Sequence, residues 1–314
     1  MPTFAVDAAS AGLRLDQFLA RALGGGWSVH AARRLIAAGR VRADGRRAGK
    51  KGERVTAGQA ITVEEEGVAA AAVVPDPGVV LPVLFEDAAL LAVDKPAGIP
   101  SHPLRASERG TAANGIVALC PECASASHDP REGGLGHRLD RETSGVLLAA
   151  RSRPAWEALR AALAEPACEK TYVAHVAGSP PAQADFAGSI GRVGRHGARV
   201  AVDGGRHPLP ARTAWEVLAA GAGPSALVRA RLHAGRAHQV RAHLAAAGHP
   251  ILGDALYGDD AARALALALG VGGLRLHAES VRLRHPTTGA PLTIAAPLPA
   301  WAADFAATGG GADR

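Results

Sequence analysis

"EEEGVAAAAVVPDPGVV", residues 64–80, is the stretch that most limits what this chain can build. Its alanines could extend a helix, but Pro75 and Pro77 end any such attempt, because proline lacks the N–H and its ring crowds the preceding turn. The stretch reads as a linker over 65–81. It divides the 314 residues into a short piece, 12–64, and a long one, 82–304, that is large enough for its own core.

In the short piece, Leu15, Phe18, Leu19 and Ala22 recur at helical spacing. Ser28 can cap a second helix, "SVHAARRLIAAG", which buries Ala32, Leu35 and Ile36 and stops at Gly39. Arg33 and Arg34 then face solvent. Strand-like runs follow, "RVRADGRRAG" with an Asp-Gly turn at Asp44–Gly45, and "QAITV". Between 40 and 54, Arg40, Arg42, Arg46, Arg47, Lys50, Lys51 and Arg54 are opposed only by Asp44 and Glu53. A wet surface could look like this, but charge gathered on one turn and the adjoining helix face suits a phosphate backbone.

The net charge of +6 leans the same way. Lysines are few, only Lys50, Lys51, Lys95 and Lys170; the arginine excess is either composition bias or a use for guanidinium forks. The N-terminus lacks the basic and apolar regions of a signal peptide, and no run approaches ~18 apolar residues. Three cysteines make no disulfide framework. Cytoplasm and monomer are the default expectations. Cys120 and Cys123 form "CPEC" near His128, with Cys168 far off, which is short of the paired knuckles a zinc site needs.

In the long piece, "LLAVDKPAGIP", "GVLLAAR", "KTYVAHVAG", "ARTAWEVL", "ALVRARLHA" and "LRLHAESVRL" read as strands. "RPAWEALRAALAE", capped by Ser152, and "RAHQVRAHLAAAG" read as helices. Strands outnumber helices without regular alternation, so the expected class is α+β with a mixed, mainly antiparallel sheet and flanking helices. There is no Gly-Lys-Ser/Thr phosphate loop and no G-x-S-x-G elbow. His233, His238 and His243 are spaced by five, a step that brings three imidazoles onto one ion in neither a helix nor a strand. No metal site is expected from them.

"GHRLDRETSGVLLAAR", 136–151, sets Asp140 between Arg138 and Arg141, just ahead of a buried apolar run. Neighbouring guanidinium charge favours a carboxylate, which makes a poor general acid but a usable nucleophile. On these residues alone a structural ion pair is the preferred reading.

Four blocks in order resemble the RluA-type RNA pseudouridine synthases. "LLAVDKPAGIPSHP" precedes the Asp140 signature and "EKTYVAHVAG" follows it. "RLHAGRAHQVRAHLAAAGHPILGDALYG" and the closing "LHAESVRLRHPTTGAPLTIAAPLP" complete the match over about 82–300. Residues 12–64 resemble the small alpha-L RNA-binding module named after ribosomal protein S-four, with "RADG" where Val-Asn-Gly is usual. Ala237, Ala242 and Asp94 stand where Thr, Val and Asn are common, and 105–136 follows the family only loosely.

The resemblance implies an RNA-modifying isomerase that flips its target uridine out of the stack. Asp140 would be the nucleophile, Tyr172 would lie against the uracil, and Arg241 would pair with Asp140. Arg138 would stand at the RNA face and Leu276 would floor the pocket. Arg33, Arg34, Arg40, Arg42, Arg46, Arg47, Lys50 and Lys51 would hold RNA. The reaction is neither redox nor net hydrolysis, so no cofactor or metal is expected. Large-subunit ribosomal RNA is the expected partner, with transfer RNA possible and no membrane. A non-catalytic RNA-binding or ribosome-assembly factor on the same fold is the alternative.

Overall fold

The computed structural model describes residues 2–23, 29–48, 52–64, 73–105, 107–194, 199–221, 223–233 and 235–308. Ser28, Lys50, Lys51 and the side chain of Arg34 lie outside the described residues, as does most of the expected linker, 65–72.

The N-terminal module is built from β1 (Thr3–Ala5), α1 (Leu15–Ala22), α2 (Val29–Ala37), β2 (Val41–Ala43), β3 (Arg46–Arg47) and β4 (Ala60–Val63). Its strands form an antiparallel sheet in the order β1-β4-β2-β3. The helices bury Leu15, Phe18, Leu19, Ala32 and Leu35 against Val41, Ile61 and Val63. Val6 joins this core and β1 pairs with β4. The module therefore begins ahead of residue 12, where the helical pattern starts. Asp44 (φ 49°) and Gly45 (φ 76°) both occupy the left-handed region that a two-residue hairpin turn requires.

The second unit contains β5 (Val83–Glu86), β6 (Leu90–Lys95), α3 (Ala112–Leu119), β7 (Ser144–Ala150), α4 (Arg153–Ala162) and β8 (Glu169–Ala177). It continues with β9 (Gln183–Val193), β10 (Arg199–Val202), β11 (Arg206–Ala220), β12 (Ser225–Leu232) and α5 (Gln239–Ala246). Last come α6 (Asp260–Ala268), β13 (Leu276–Arg284), β14 (Pro291–Ala295) and α7 (Ala300–Thr308). The sheet runs β10-β9-β11-β12-β8-β13-β7-β6-β5, with β14 beside β13. Among the described residues only β13 and β7 pair in parallel. The class is α+β with a mostly antiparallel sheet, as the irregular strand succession implies.

β7 lies inside the sheet between β13 and β6 and is covered on both faces. Val146, Leu148 and Ala150 enter one core beneath α4, while Leu147 and Ala149 enter another with Ile116 of α3. That is why its sequence is an unbroken apolar run rather than an alternation. Gly145 has φ 109°, and a Cβ there would run into the Ala278 backbone carbonyl of β13, so only glycine permits the pairing. Ser152 caps α4 by accepting the Ala155 N–H, and Trp156 donates its indole N–H to the Leu135 carbonyl at 2.9 Å.

Three differences from the sequence reading have plain causes. Residues 73–81 are not free linker: Val73 and Leu81 are buried, and Asn114 Nδ2 donates to the Val74 carbonyl at 2.7 Å. The prolines that forbid a helix still allow an extended strap. Second, α5 starts at Gln239, because His238 is left-handed (φ 54°) and ends the loop before it. Third, β9, β10 and the first half of β11 went unseen, since Gly188, Gly191, Pro208 and Pro210 mask a strand pattern. No described helix is long and apolar enough to cross a membrane.

Candidate active site

Asp140 sits in the loop that enters β7, and the preceding strand end fastens this loop from the other side. Ser101 Oγ donates to the Leu139 carbonyl at 2.7 Å and accepts the Leu139 N–H at 3.0 Å. Lys95 is fully buried at the end of β6 and donates to the carbonyls of Pro96, Ile99 and Arg141 at 2.8, 3.0 and 3.1 Å. Burial pushes its ammonium down to about 8, against the pull of Glu142, Asp140 and Asp94. "LLAVDKPAGIPSHP" thus supplies a buckle for the Asp140 loop, a role that sequence reading did not assign to Lys95 or Ser101.

The guanidinium that meets Asp140 comes from neither sequence neighbour. Arg141 Nε turns to the Gly98 carbonyl at 2.8 Å, and Arg138 is exposed. Arg241 of α5 instead donates Nη1–H to Asp140 Oδ2 at 2.6 Å. The inference of a charge field from Arg138 and Arg141 is corrected accordingly: chain proximity does not fix where a long, flexible guanidinium side chain goes.

Arg241 has a second anchor. Its Nε and Nη2 donate to the two oxygens of the fully buried Asp254 at 2.7 and 2.8 Å. Asp254 Oδ1 also accepts the backbone N–H groups of Leu256 and Tyr257. Burial alone would weaken the Arg241 cation, but the Asp254 bonds, then those of Asp140, outweigh it and raise it further. Arg241 is a fixed charge whose third nitrogen presents itself to Asp140.

Asp140 Oδ1 faces a different group. His238 Nε2 lies 3.7 Å away. The other ring nitrogen of His238 is 2.9 Å from Tyr257 Oη, which accepts the Val200 N–H at 2.9 Å. The Arg199 and Arg241 guanidinium carbons lie 5.2 Å from the Tyr257 ring centre. Burial lowers the His238 imidazole below its ordinary 6.5; Asp140 pulls the other way and Arg241 adds to the lowering.

Tyr172 stands on β8 between Ala230 of β12 and Ala278 of β13, half-buried against the clusters that contain Leu139 and Leu276. Burial, then the Asp140 carboxylate, push its phenol up, so it stays protonated. Leu276 is buried on β13 in the same cluster as Tyr172 and Val240. Asp140 and Arg241, 101 positions apart in sequence, thus bond directly, with Tyr172 near enough for the Asp140 charge to act on its phenol. The side chain of Asp140 is 27% exposed, so it is not sealed from solvent.

His238, Asp254 and Tyr257 were missed as site residues, although all three lie inside the quoted "RAHQVRAH…GDALYG" block. The signal was there in Asp254 and Tyr257 closing the same motif that carries Arg241. Of the other histidines, His243 is buried with Nδ1 2.9 Å from Thr213 Oγ1, and His233 is exposed. Cys120 and Cys123 are buried with their sulfurs 3.2 Å apart, and His128 packs edge-on against Trp156.

In the N-terminal module, Arg40, Arg42, Arg46 and Arg47 fall on or beside the β2–β3 hairpin. Two of the expected RNA-binding arginines have acid partners the count over 40–54 left out. Arg33 Nε bonds the buried Asp16 at 2.5 Å, alongside Arg14, and Arg42 Nε bonds Glu64 at 2.5 Å.

Comparison with known proteins agrees with this geometry. Residues 89–246 match the family model described as RNA pseudouridylate synthase, and residues 13–61 match the S4 domain. A ribosomal large subunit pseudouridine synthase D from Nitrosomonas europaea is 35% identical over 297 residues, 92% of this chain and 82% of that protein. The protein of the same name from Neisseria meningitidis is 35% identical over 236 residues, which cover 73% of this chain and 60% of its own length. The solved structure of human RNA Pseudouridylate Synthase Domain Containing 1 superposes with a TM-score of 0.56 at 26% identity, over 72% of this chain and 86% of that one. The chain belongs to the RNA pseudouridine synthase family.

Proposed function

We propose that this protein converts uridine to pseudouridine in large-subunit ribosomal RNA in the cytoplasm, with Asp140 as the nucleophile. The observation that carries the reading is the 2.6 Å bond from Arg241 to Asp140 Oδ2, with Arg241 itself fixed by the buried Asp254. A carboxylate gripped on one oxygen keeps the other free to attack. The isomerisation breaks the bond from ribose C1′ to uracil N1, turns the base and joins C5 to C1′. A flipped nucleotide costs a few kcal/mol to extract. Tyr172 is the platform for the extracted ring, Leu276 backs it, and Arg138 takes the place the base vacates.

Arg40, Arg46, Arg47 and their neighbours on the hairpin follow the phosphate backbone, which adds affinity without reading sequence. The decisive experiment maps pseudouridine by carbodiimide and primer extension in RNA from a deletion strain, its complemented parent, and a strain carrying Asp140→Asn. One or more ribosomal sites should disappear in the deletion, return with the intact gene and stay absent with Asp140→Asn, while the purified variant keeps its RNA affinity. Full modification by Asp140→Asn, or loss confined to transfer RNA, would overturn the nucleophile or the substrate respectively.

A further inference from the structure

We infer that His238 is the base that carries the uracil proton from C5 to N1 in the isomerisation proposed above, on which this inference rests. Its Nε2 lies 3.7 Å from Asp140 Oδ1, the carboxylate oxygen that Arg241 leaves free. A ring nitrogen at that distance from an attacking oxygen borders the space the reacting base must fill.

The imidazole is held more firmly than a chance neighbour would be. His238 occupies the left-handed region (φ 54°, ψ 19°) at the start of α5, yet its side chain makes no capping bond to the helix. A non-glycine residue held there bears strain that local capping does not repay, a pattern concentrated at functional positions. The ring direction is set by Tyr257 Oη, and Tyr257 is in turn set by the Val200 N–H and the bonds that tie its loop to Asp254.

The chemistry requires such a group. Once C5 has bonded to C1′, that carbon is saturated and still bears its hydrogen, while N1 is part of an N1=C6 double bond. In the tautomer that donates Nδ1–H to Tyr257 Oη, the Nε2 lone pair is free and takes the C5 proton. The C–H electron pair becomes C5=C6, the N1=C6 pair moves onto N1, and N1 takes the proton back from the imidazolium. One proton changes place, and nothing is oxidised or consumed.

Other titratable groups around Asp140 are poorly suited. Arg241 is a fixed cation, and Asp254 is fully engaged by Arg241 and two backbone N–H groups. Tyr172 is kept as a phenol, and Lys95 points its ammonium into three carbonyls. His238, faced by Asp140, Arg241, Asp254 and Tyr257, is held towards its neutral form by burial and has Nε2 turned to Asp140 Oδ1.

The test compares His238→Gln and His238→Asn with the wild-type enzyme on RNA carrying protium or deuterium at C5 of the target uridine. Asparagine tolerates the left-handed backbone, so one variant keeps size and the other keeps conformation; melting curves confirm folding. Loss of a general base is expected to lower kcat about 10²–10⁴-fold with KM unchanged. A primary isotope effect larger than in the wild-type enzyme should appear in both variants. The wild-type rate should also fall at acid pH with a midpoint below 6.5, and that limb should vanish in the variants. Folded variants within twofold of wild-type kcat and without a larger isotope effect overturn this inference and point to Asp140 as its own base. A wild-type enzyme that forms no pseudouridine would instead overturn the function itself.

Discussion

Asp254→Asn removes one charge from the back of the site and almost no volume. Asp254 receives Nε and Nη2 of Arg241 at 2.7 and 2.8 Å and two backbone N–H groups on Oδ1. Asparagine can keep the backbone bonds through its oxygen, but its NH2 then faces the Arg241 Nε–H, donor against donor. Arg241, whose side chain is 9% exposed, is left with Asp140 alone as counter-ion. Breaking a buried pair by removing one partner costs about 3–5 kcal/mol, and we expect a loss in that range at pH 7. Urea unfolding followed by tryptophan fluorescence measures it, since Trp156 and Trp215 both lie in the catalytic cores.

The pH dependence of that loss can be worked out. Burial by itself would raise the Asp254 carboxyl, but the Arg241 and backbone bonds outweigh it and hold it below 3.8. A depressed carboxyl contributes fully above its ordinary value and loses that contribution as pH falls through the lowered one. The gap between wild type and variant should therefore be level around neutrality and close only below pH 3.8. Turnover should collapse even at low temperature, where the weakened variant is still folded, because Arg241 no longer aims at Asp140. A loss below about 1 kcal/mol, the worth of a surface pair, together with normal turnover, would refute the idea that Asp254 sets Arg241.

Gly145→Ala should cost at least about 1–3 kcal/mol through the positive φ, plus the clash with Ala278, and thermal melting would show it; an unchanged Tm contradicts the β7–β13 account. Lys95→Met should flatten a specific trend. The wild-type ammonium titrates at about 8 when folded and near 10.5 when unfolded, so stability should rise over that interval, by up to about 1.4 kcal/mol per pH unit. Parallel wild-type and Met curves from pH 8 to 10 would argue against a buried, charged Lys95. Replacing Arg46 and Arg47 by Ala should weaken RNA binding for all sequences alike and reduce the salt slope by about 0.7–0.9 per lost phosphate contact; an unchanged slope in filter binding removes them from the interface.

Much of the fold was readable because burial writes itself into residue order. "GVLLAA" announces a strand covered on both faces, and the Asp-Gly pair announces the hairpin. The β9–β10–β11 arm was unreadable because glycine and proline stand inside it, and alternation cannot be seen through them. At the site, Asp140 was visible from its odd setting, but its partner Arg241 was named only through the family resemblance. Local charge pointed to Arg138 and Arg141, whereas the bond comes from Arg241, 101 residues away. That pairing depends on α5 being brought beside the Asp140 loop by the sheet, which no spacing rule encodes. The place of His238 beside Asp140 had no spacing signature, because it stands before α5 with a left-handed backbone and follows neither a helical nor a strand period.

The strap at 73–81 fixes more than its own segment. Val73 and Leu81 both enter the core that holds Ile116 and Leu147, and Asn114 holds the Val74 carbonyl. A chain begun at residue 73 should therefore keep that core sealed, whereas one begun at 82 would strip two buried side chains from it and melt at a lower temperature.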